Sequence, residues 1–307
     1  MLNRVTNLTM TANAQRTLQT QQSRLAELQD KAVTLDKIKR PSDDPAATGQ
    51  ALQTRAQLAA TAQYGRNIDD GSGWLMAADS ALGQATNVLN RIRDLTVQAG
   101  NGTLNQTAKD AIAIEFDGLN QDLMSIANTK HLGRSIFAGS SDKAQAFTAA
   151  IPPNPLVPGD TGTPPVFNGF SGSSVERRVS DNQTVRVDAD GAKIFGNGAT
   201  SIFSVVSDMA AALRAGTDIT PRLTDLDTSL TSVIGGRAEI GVQQVRLERA
   251  GTVNTELEAT LDAQKMSIEK ADLGSVIMDL KLQENTYQVA LAATARVLQP
   301  TLMDFLR

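Results

Sequence analysis

The chain has 307 residues, no cysteine, a single histidine, and 29 Lys+Arg against 33 Asp+Glu for a formal net charge of -4. That composition excludes a disulfide framework, an iron-sulfur cluster, a thiolate zinc site, a cysteine nucleophile and any multi-histidine metal site, and it leaves no basic footprint for nucleic acid. Hydrophobic residues reach 41% but aromatics only 4%, so the core is expected to be built from Leu, Ile, Val and Ala rather than from clustered rings.

The polar first ten residues lack the apolar run of a secretory signal, and no stretch of about 18 apolar residues occurs, so neither signal-peptide export nor membrane insertion is expected. From Leu18 the apolar positions continue as Leu25, Leu28, Ala32 and Leu35, a spacing of seven, three, four and three. This narrow stripe predicts a coiled-coil-like helix, with the polar Gln21 inside the stripe. The helix should stop before Arg40-Pro41, because the residue preceding a proline is pushed out of the helical region.

A second helix is expected to start at Asp44-Pro45, with aspartate capping the free amides and proline at the first helical position. Gly65 and Asp70-Gly71-Ser72-Gly73 are expected to interrupt or bend it. The stripe resumes as Leu75, Ala78, Leu82, Ala85, Leu89 and Ile92 and ends at Gly100-Asn101-Gly102. Thr107 with Asp110 reads as a capping box for a third helix that carries Ile112, Phe116, Leu119, Leu123 and Ile126.

Between Gly139 and Gly198, glycine, proline and serine are dense, and six of the ten prolines fall within 152–165. Only Val175 to Val179 and Thr184 to Val187 alternate like strands, and a turn through residues 180–183 makes them a hairpin. Residues 143–191 are therefore expected to form a small β-containing insertion with a flexible proline-rich limb, apart from the helical body. Helical periodicity returns with Ile202, Val206, Met209 and Leu213, stopping at Gly216. After Pro221 it continues through Leu223, Leu226, Leu230, Val233, Ile240, Leu247, Leu257, Leu261 and Ile268, and then Leu273, Ile277, Leu280, Tyr287, Leu291 and Leu298 before Pro300. Gly235-Gly236, Gly251 and Gly274 are the expected bends.

No residue is assigned a catalytic, cofactor-binding or metal-ligating role. Asp188-Ala189-Asp190-Gly191 copies a fragment of a calcium loop without its third acidic ligand or terminal glutamate, and reads as a turn. The glycines before Ile202 lead into a Ser or Thr cap, Asp43-Asp44 reads as a capping site, and His131 is placed at a helix end facing the dipole. The fold class is mainly α: an elongated antiparallel helical bundle or coiled coil built from both termini, with a small β-containing central insertion. Thin stripes at both ends with no third apolar face to cover them point to association between chains. The expected assembly interface is Leu18, Leu25, Leu28, Leu35, Leu257, Leu261, Ile268, Leu273, Ile277, Leu280, Leu291 and Leu298.

Specific motifs sit at both ends. Residues 12–18, Ala-Asn-Ala-Gln-Arg-Thr-Leu, and residues 40–47, Arg-Pro-Ser-Asp-Asp-Pro-Ala-Ala, resemble the amino-terminal signature of the flagellin superfamily. The form Pro41, Ser42, Asp43, Asp44, Pro45 is that of its hook-filament junction branch. Residues 133–140, Gly-Arg-Ser-Ile-Phe-Ala-Gly-Ser, resemble the segment by which the family leaves its helical domain, and residues 267–273 and 292–306 are similar to its carboxyl terminus. Residues 33–39 replace the Ser-Ser-Gly turn that many relatives carry before the arginine-proline motif.

The resemblance implies a non-enzymatic structural adapter of the bacterial flagellum, without cofactor, that joins the hook, through the preceding hook-associated protein, to the flagellin filament. It further implies a ring of copies, export unfolded through the flagellar type III apparatus with a cytoplasmic chaperone, and an extracellular location. Three layers follow: terminal helices 1–40 with 265–307, a bundle of 41–140 with 192–264, and an outer insertion at 141–191. The other readings are a flagellin filament subunit and a cytoplasmic coiled-coil signalling or scaffold protein.

Overall fold

The long periodic stripes all become helices, and the computed structural model describes residues 7–100, 104–151 and 163–298. In chain order these are α1 (Asn7–Thr34), α2 (Pro45–Ala99), α3 (Gln106–Ala127), three two-stranded antiparallel ribbons, α4 (Gly191–Phe195), α5 (Ile202–Arg214), α6 (Leu223–Glu269) and α7 (Leu273–Leu298). The ribbons are β1 (Lys130–His131) with β2 (Arg134–Ser135), β3 (Phe147–Thr148) with β4 (Val166–Phe167), and β5 (Glu176–Ser180) with β6 (Gln183–Arg186). The fold is mainly α with small β ribbons. The chain forms two units, a terminal one of Met1–Ala60 with Glu258–Arg307 and a central one of Thr61–Leu257, whose limits fall inside α2 and α6.

The core belongs to the central unit. Leu75, Ala78, Leu82, Ala85, Leu89 and Ile92 of α2 are fully buried with Phe116 and Leu123 of α3, Val206 and Met209 of α5, and Val233 of α6. The described parts of residues 143–191 do not stand apart from this body. Phe147, Val175, Val179, Val185 and Val187 are buried in the same core, because a two-stranded ribbon has no stability of its own and must lay an apolar face on something. The prolines at 152–162, and the stop at 101–102, lie outside the described residues.

The expectation of a core without clustered rings fails. Phe137, Phe147, Phe167, Phe195 and Phe203 meet with ring centroids 5.1 to 5.9 Å apart, where the ribbons, α4 and α5 converge. A low aromatic count limits how many rings exist but does not scatter them.

Two of the glycines expected to bend the helices, Gly71 and Gly236, are instead places of close approach. α2 runs through Gly65, Gly71 and Gly73 and α6 through Gly235, Gly236 and Gly251 without a break. A Cβ on Gly71 would lie 2.9 Å from Val187 Cγ1, and one on Gly236 would lie 2.7 Å from Ile194 Cγ1 and Cδ1. Glycine costs helix propensity there, but it lets β6's flank and α4 reach the helix backbones. The break that does occur, between α6 and α7, lies at 270–272, where Asp272 accepts the Ser275 amide and opens a new helix; Gly274 is not its cause.

α1 does stop before Arg40-Pro41, at Thr34, where Leu35 takes a left-handed φ of 55°. Three other local expectations change. Asn105 rather than Thr107 caps α3, accepting from the Ala108 amide. His131 is not at a helix end but in β1, its ring against the edge of Trp74. Asp188 and Asp190 serve the fold: Asp188 is paired with Arg186 and accepts the Val175 amide, and Asp190 caps α4. The Asp44 and Ser201 readings hold, as the caps of α2 and α5, and the expected hairpin forms, with its turn tightened from 180–183 to 181–182 because Ser180 pairs with Gln183.

Adjacent glycines give a test with opposite signs. Nothing lies within 4 Å of a Cβ on Gly235, so Gly235→Ala should stabilise the chain by about 0.5 to 1 kcal/mol through helix propensity alone. Gly236→Ala should destabilise it by about 1 kcal/mol or more, as overpacking against the buried Ile194 outweighs the same propensity gain. Urea unfolding of the two single variants reads both.

Candidate assembly interface

α1 and α7 pack side by side in the terminal unit and run antiparallel, as two cross-links far apart along them fix. On α1 the half-buried positions include Ala14, Leu18, Gln21, Leu25, Leu28 and Ala32; on α7 they include Leu280, Gln283, Tyr287, Ala290 and Thr294, with Val276 buried. Both series step four, three, four, three, four, the period that keeps one edge of a helix on its partner. At mid-seam the Gln283 amide Nε2 donates to Gln21 Oε1 at 2.6 Å and to the Gln21 carbonyl at 3.2 Å.

One end of this coil is clasped by backbone. Asp36 and Lys270 form an isolated antiparallel bridge, with the Lys37 amide donating to the Glu269 carbonyl at 2.7 Å and the Ala271 amide to the Leu35 carbonyl at 2.8 Å. Lys270 Nζ reaches Asp36 at 2.7 Å, and Arg55 Nε donates to Glu269 Oε1 at 2.7 Å. The clasp holds Leu35 in its left-handed turn, which a leucine adopts only where surrounding structure over-determines it. Next to it, Pro41, Ser42, Asp43 and Pro45 are exposed and Asp44 half-buried. Asp43 Oδ2 accepts the Lys39 and Arg40 amides and Asp44 Oδ1 the Ala47 amide, so the motif shapes the turn from α1 into α2.

The stripe residues divide. Leu18, Leu25, Leu28 and Leu280 lie on the intramolecular seam, Leu35 in the clasp, and Ile268 is half-buried just before it. Leu261 is buried. Leu257, the last residue of the central unit, is exposed, and so are Leu273, Ile277 and Leu291 on α7, outside the seam. Leu298 closes α7, but its side chain lies outside the described residues. The pairing positions Val276, Gln283, Ala290 and Thr294 were missed because the stripe on α7 was traced through its largest apolar residues. The signal was available in the four-three spacing of α1, which matches α7 only through these smaller and polar side chains. Also missed were Met278, Leu282 and Val289, exposed by 73%, 67% and 69%.

Leu273, Ile277, Met278, Leu282, Val289 and Leu291 thus leave α7 with more apolar surface outside its seam than on it. They fall on two flanks of the helix, Leu273, Ile277 and Leu291 on one and Met278, Leu282 and Val289 on another. Among the described residues no group of three or more acidic or histidine side chains is placed to hold a metal, and no helix is long and apolar enough to cross a membrane.

The clasp carries a pH signature. The hydrogen bond from Arg55 holds the Glu269 carboxyl below its ordinary value, against the opposing effect of burial. A depressed folded value contributes stability above the unfolded value and loses it as pH falls through the folded one. The stability gap between the wild-type chain and Glu269→Gln, read by thermal unfolding, should therefore be full at about pH 6 and close toward about pH 3. A gap that does not change with pH contradicts the assignment.

Comparison with known proteins agrees with this arrangement. Residues 5–142 match the bacterial flagellin N-terminal helical region. The chain is 27% identical over 300 residues to flagellar hook-associated protein 3 of Salmonella typhimurium, covering 88% of this chain and 89% of that protein. It is 25% identical over 280 residues to the Escherichia coli protein of the same name, covering 84% and 85%. In fold it resembles the flagellar junction protein FlgL of Legionella pneumophila, with a TM-score of 0.57 at 17% identity over 72% of this chain and 99% of that one. The chain is thus similar to the flagellins over its amino-terminal region and to flagellar hook-associated protein 3 along most of its length, and it shares its fold with the junction protein.

Proposed function

We propose that the chain is a structural adapter of the bacterial flagellum, joining the hook, through the preceding hook-associated protein, to the flagellin filament. The observation that carries this reading is the contrast between the two units. The central unit closes a complete core, whereas among described residues the terminal unit buries only Ala51, Leu261 and Val276 as apolar side chains and leaves α7 apolar on its outer side. A helix pair of that kind is finished by neighbours.

Copies set side by side in a ring would cover the outer surface of α7, with the hook-associated protein on one side and flagellin on the other. Export unfolded through the flagellar type III apparatus, guarded by a cytoplasmic chaperone, suits a chain without cysteine whose end helices are thinly buried. A cytoplasmic scaffold that kept its end helices paired would be expected to carry polar residues where Met278, Leu282 and Val289 stand. Likeness to hook-associated protein 3 across most of both chains, together with residues 41–45, favours the adapter over the filament subunit.

A strain lacking the gene should build hooks and shed flagellin into the medium. Hooks with no flagellin outside would instead point to a filament subunit, and normal filaments would refute a flagellar role. A pair of substitutions separates assembly from folding. Leu291→Asp, on the outer side of α7, should move the melting temperature of the free chain by less than about 2 °C and abolish attachment at the hook tip. Leu123→Asp, fully buried in α3, should cost more than about 4 kcal/mol and unfold the central unit first.

A further inference from the structure

We propose that Gln21 and Gln283 set the register of the terminal coil, acting as the specificity-determining pair that aligns α1 with α7. The inference rests on the geometry of the coil, not on the adapter reading. Both glutamines occupy seam positions in the four-three series, where neighbouring positions hold Leu18, Leu25, Leu280 and Tyr287. Gln283 Nε2 makes two bonds, to the side-chain oxygen and the backbone carbonyl of Gln21, so the amide group is anchored to the partner's main chain as well as to its side chain.

The need for such a device follows from the rest of the seam. Leu18 and Leu25 repeat at seven residues, as do Leu280 and Tyr287, so sliding one helix by a heptad again sets two large apolar groups face to face, Leu18 on Leu280 or Leu25 on Tyr287. Apolar packing alone therefore discriminates weakly between the native alignment and its neighbours. The glutamines do discriminate. A slide of seven residues sets Gln283 opposite Leu28 or Ala14 and Gln21 opposite Val276 or Ala290, leaving both amides facing apolar side chains. A partly buried amide without a partner is costly whereas the paired one is nearly neutral, so the pair acts mainly by penalising wrong alignments. A single polar seam position that fixes register at some cost in stability is a known use of such residues. A slip also has to open the backbone clasp at Leu35, Lys37, Glu269 and Ala271, but its two backbone bonds are exchanged for bonds to water at a small net cost.

Because the chain has no cysteine, engineered pairs report alignment without background. In the purified full-length chain under mild oxidation, Leu25→Cys with Leu280→Cys reads the native register. Leu18→Cys with Leu280→Cys, and Leu25→Cys with Tyr287→Cys, read the two heptad slips. In the native register these slip pairs are displaced by about 10 Å along the axis, beyond the reach of a disulfide.

With Gln21 and Gln283 intact, only the native pair should close. In the Gln21→Leu, Gln283→Leu background, at least one slip pair should close to about the same extent as the native pair, while helix content is kept or rises. Each single substitution, which leaves one amide against a leucine, should give less native cross-link than either the wild-type chain or the double variant. Closure of the native pair alone in the double-leucine background overturns the proposal, and so does a slip pair that closes readily with both glutamines present. Failure of the native pair to close in the otherwise wild-type chain refutes the seam itself and the proposal with it. None of these outcomes depends on hooks or filaments, so the proposal and the adapter reading fail separately.

Discussion

The thinness of the seam between α1 and α7 governs the rest of this structure. Helices of 28 and 26 residues touch along one stripe each, and that stripe is filled by Ala14, Gln21, Ala32, Gln283, Ala290 and Thr294 as much as by leucines. Ordering a residue costs about 1 to 2 kcal/mol of backbone entropy, while fully burying a leucine contributes about 1.5 to 3 kcal/mol. Most seam leucines are only half-buried. Intrahelical hydrogen bonds and the clasp at Asp36 and Lys270 add to the balance, yet the pair remains close to neutral by itself. Added burial on the outer side of α7, from Ile277 to Leu291, is where neighbours can tip it. On the adapter reading, folding of the ends is coupled to assembly of the chain.

The central unit has the opposite character, and it owes this to a few small residues. Gly71 and Gly236 let Val187 and Ile194 pack against helix backbones, which draws the β ribbons into the same core as α2, α3 and α5. Polar contacts complete the attachment of the β5–β6 hairpin to α2: Tyr64 donates to Asp181 at 2.7 Å, Asn67 donates to the Arg178 carbonyl at 2.8 Å, and Arg177 pairs with Asp70 at 2.7 Å. A body so closed can stay folded while the ends are unpaired.

The helices were legible because each presents one stripe of large apolar residues at helical spacing, and Asp44-Pro45 and Ser201 carry unambiguous start chemistry. The glycines were misread for a physical reason: Gly71 and Gly236 stand where another element approaches, and that element lies far away in sequence. Residues 143–191 looked separable because proline and glycine dominate local composition, whereas their fate was decided by five valines and phenylalanines that need a core. The break after Glu269 was hidden as well, since it depends on a backbone bridge to Asp36 across the chain. At the interface, the leucines were visible and the register was not. Gln21 reads as a flaw in a stripe until Gln283 is found opposite it.

The central claim is that the end helices pair only marginally until neighbours cover them, and amide hydrogen exchange on the free full-length chain and on isolated hook-filament junctions tests it most directly. In the free chain, amides of α1 and α7 should exchange at least about a hundredfold faster than those of residues 75–95 of α2, and in the junction they should approach the same protection. Equal protection of the ends and of α2 in the free chain, at low concentration, would contradict the account.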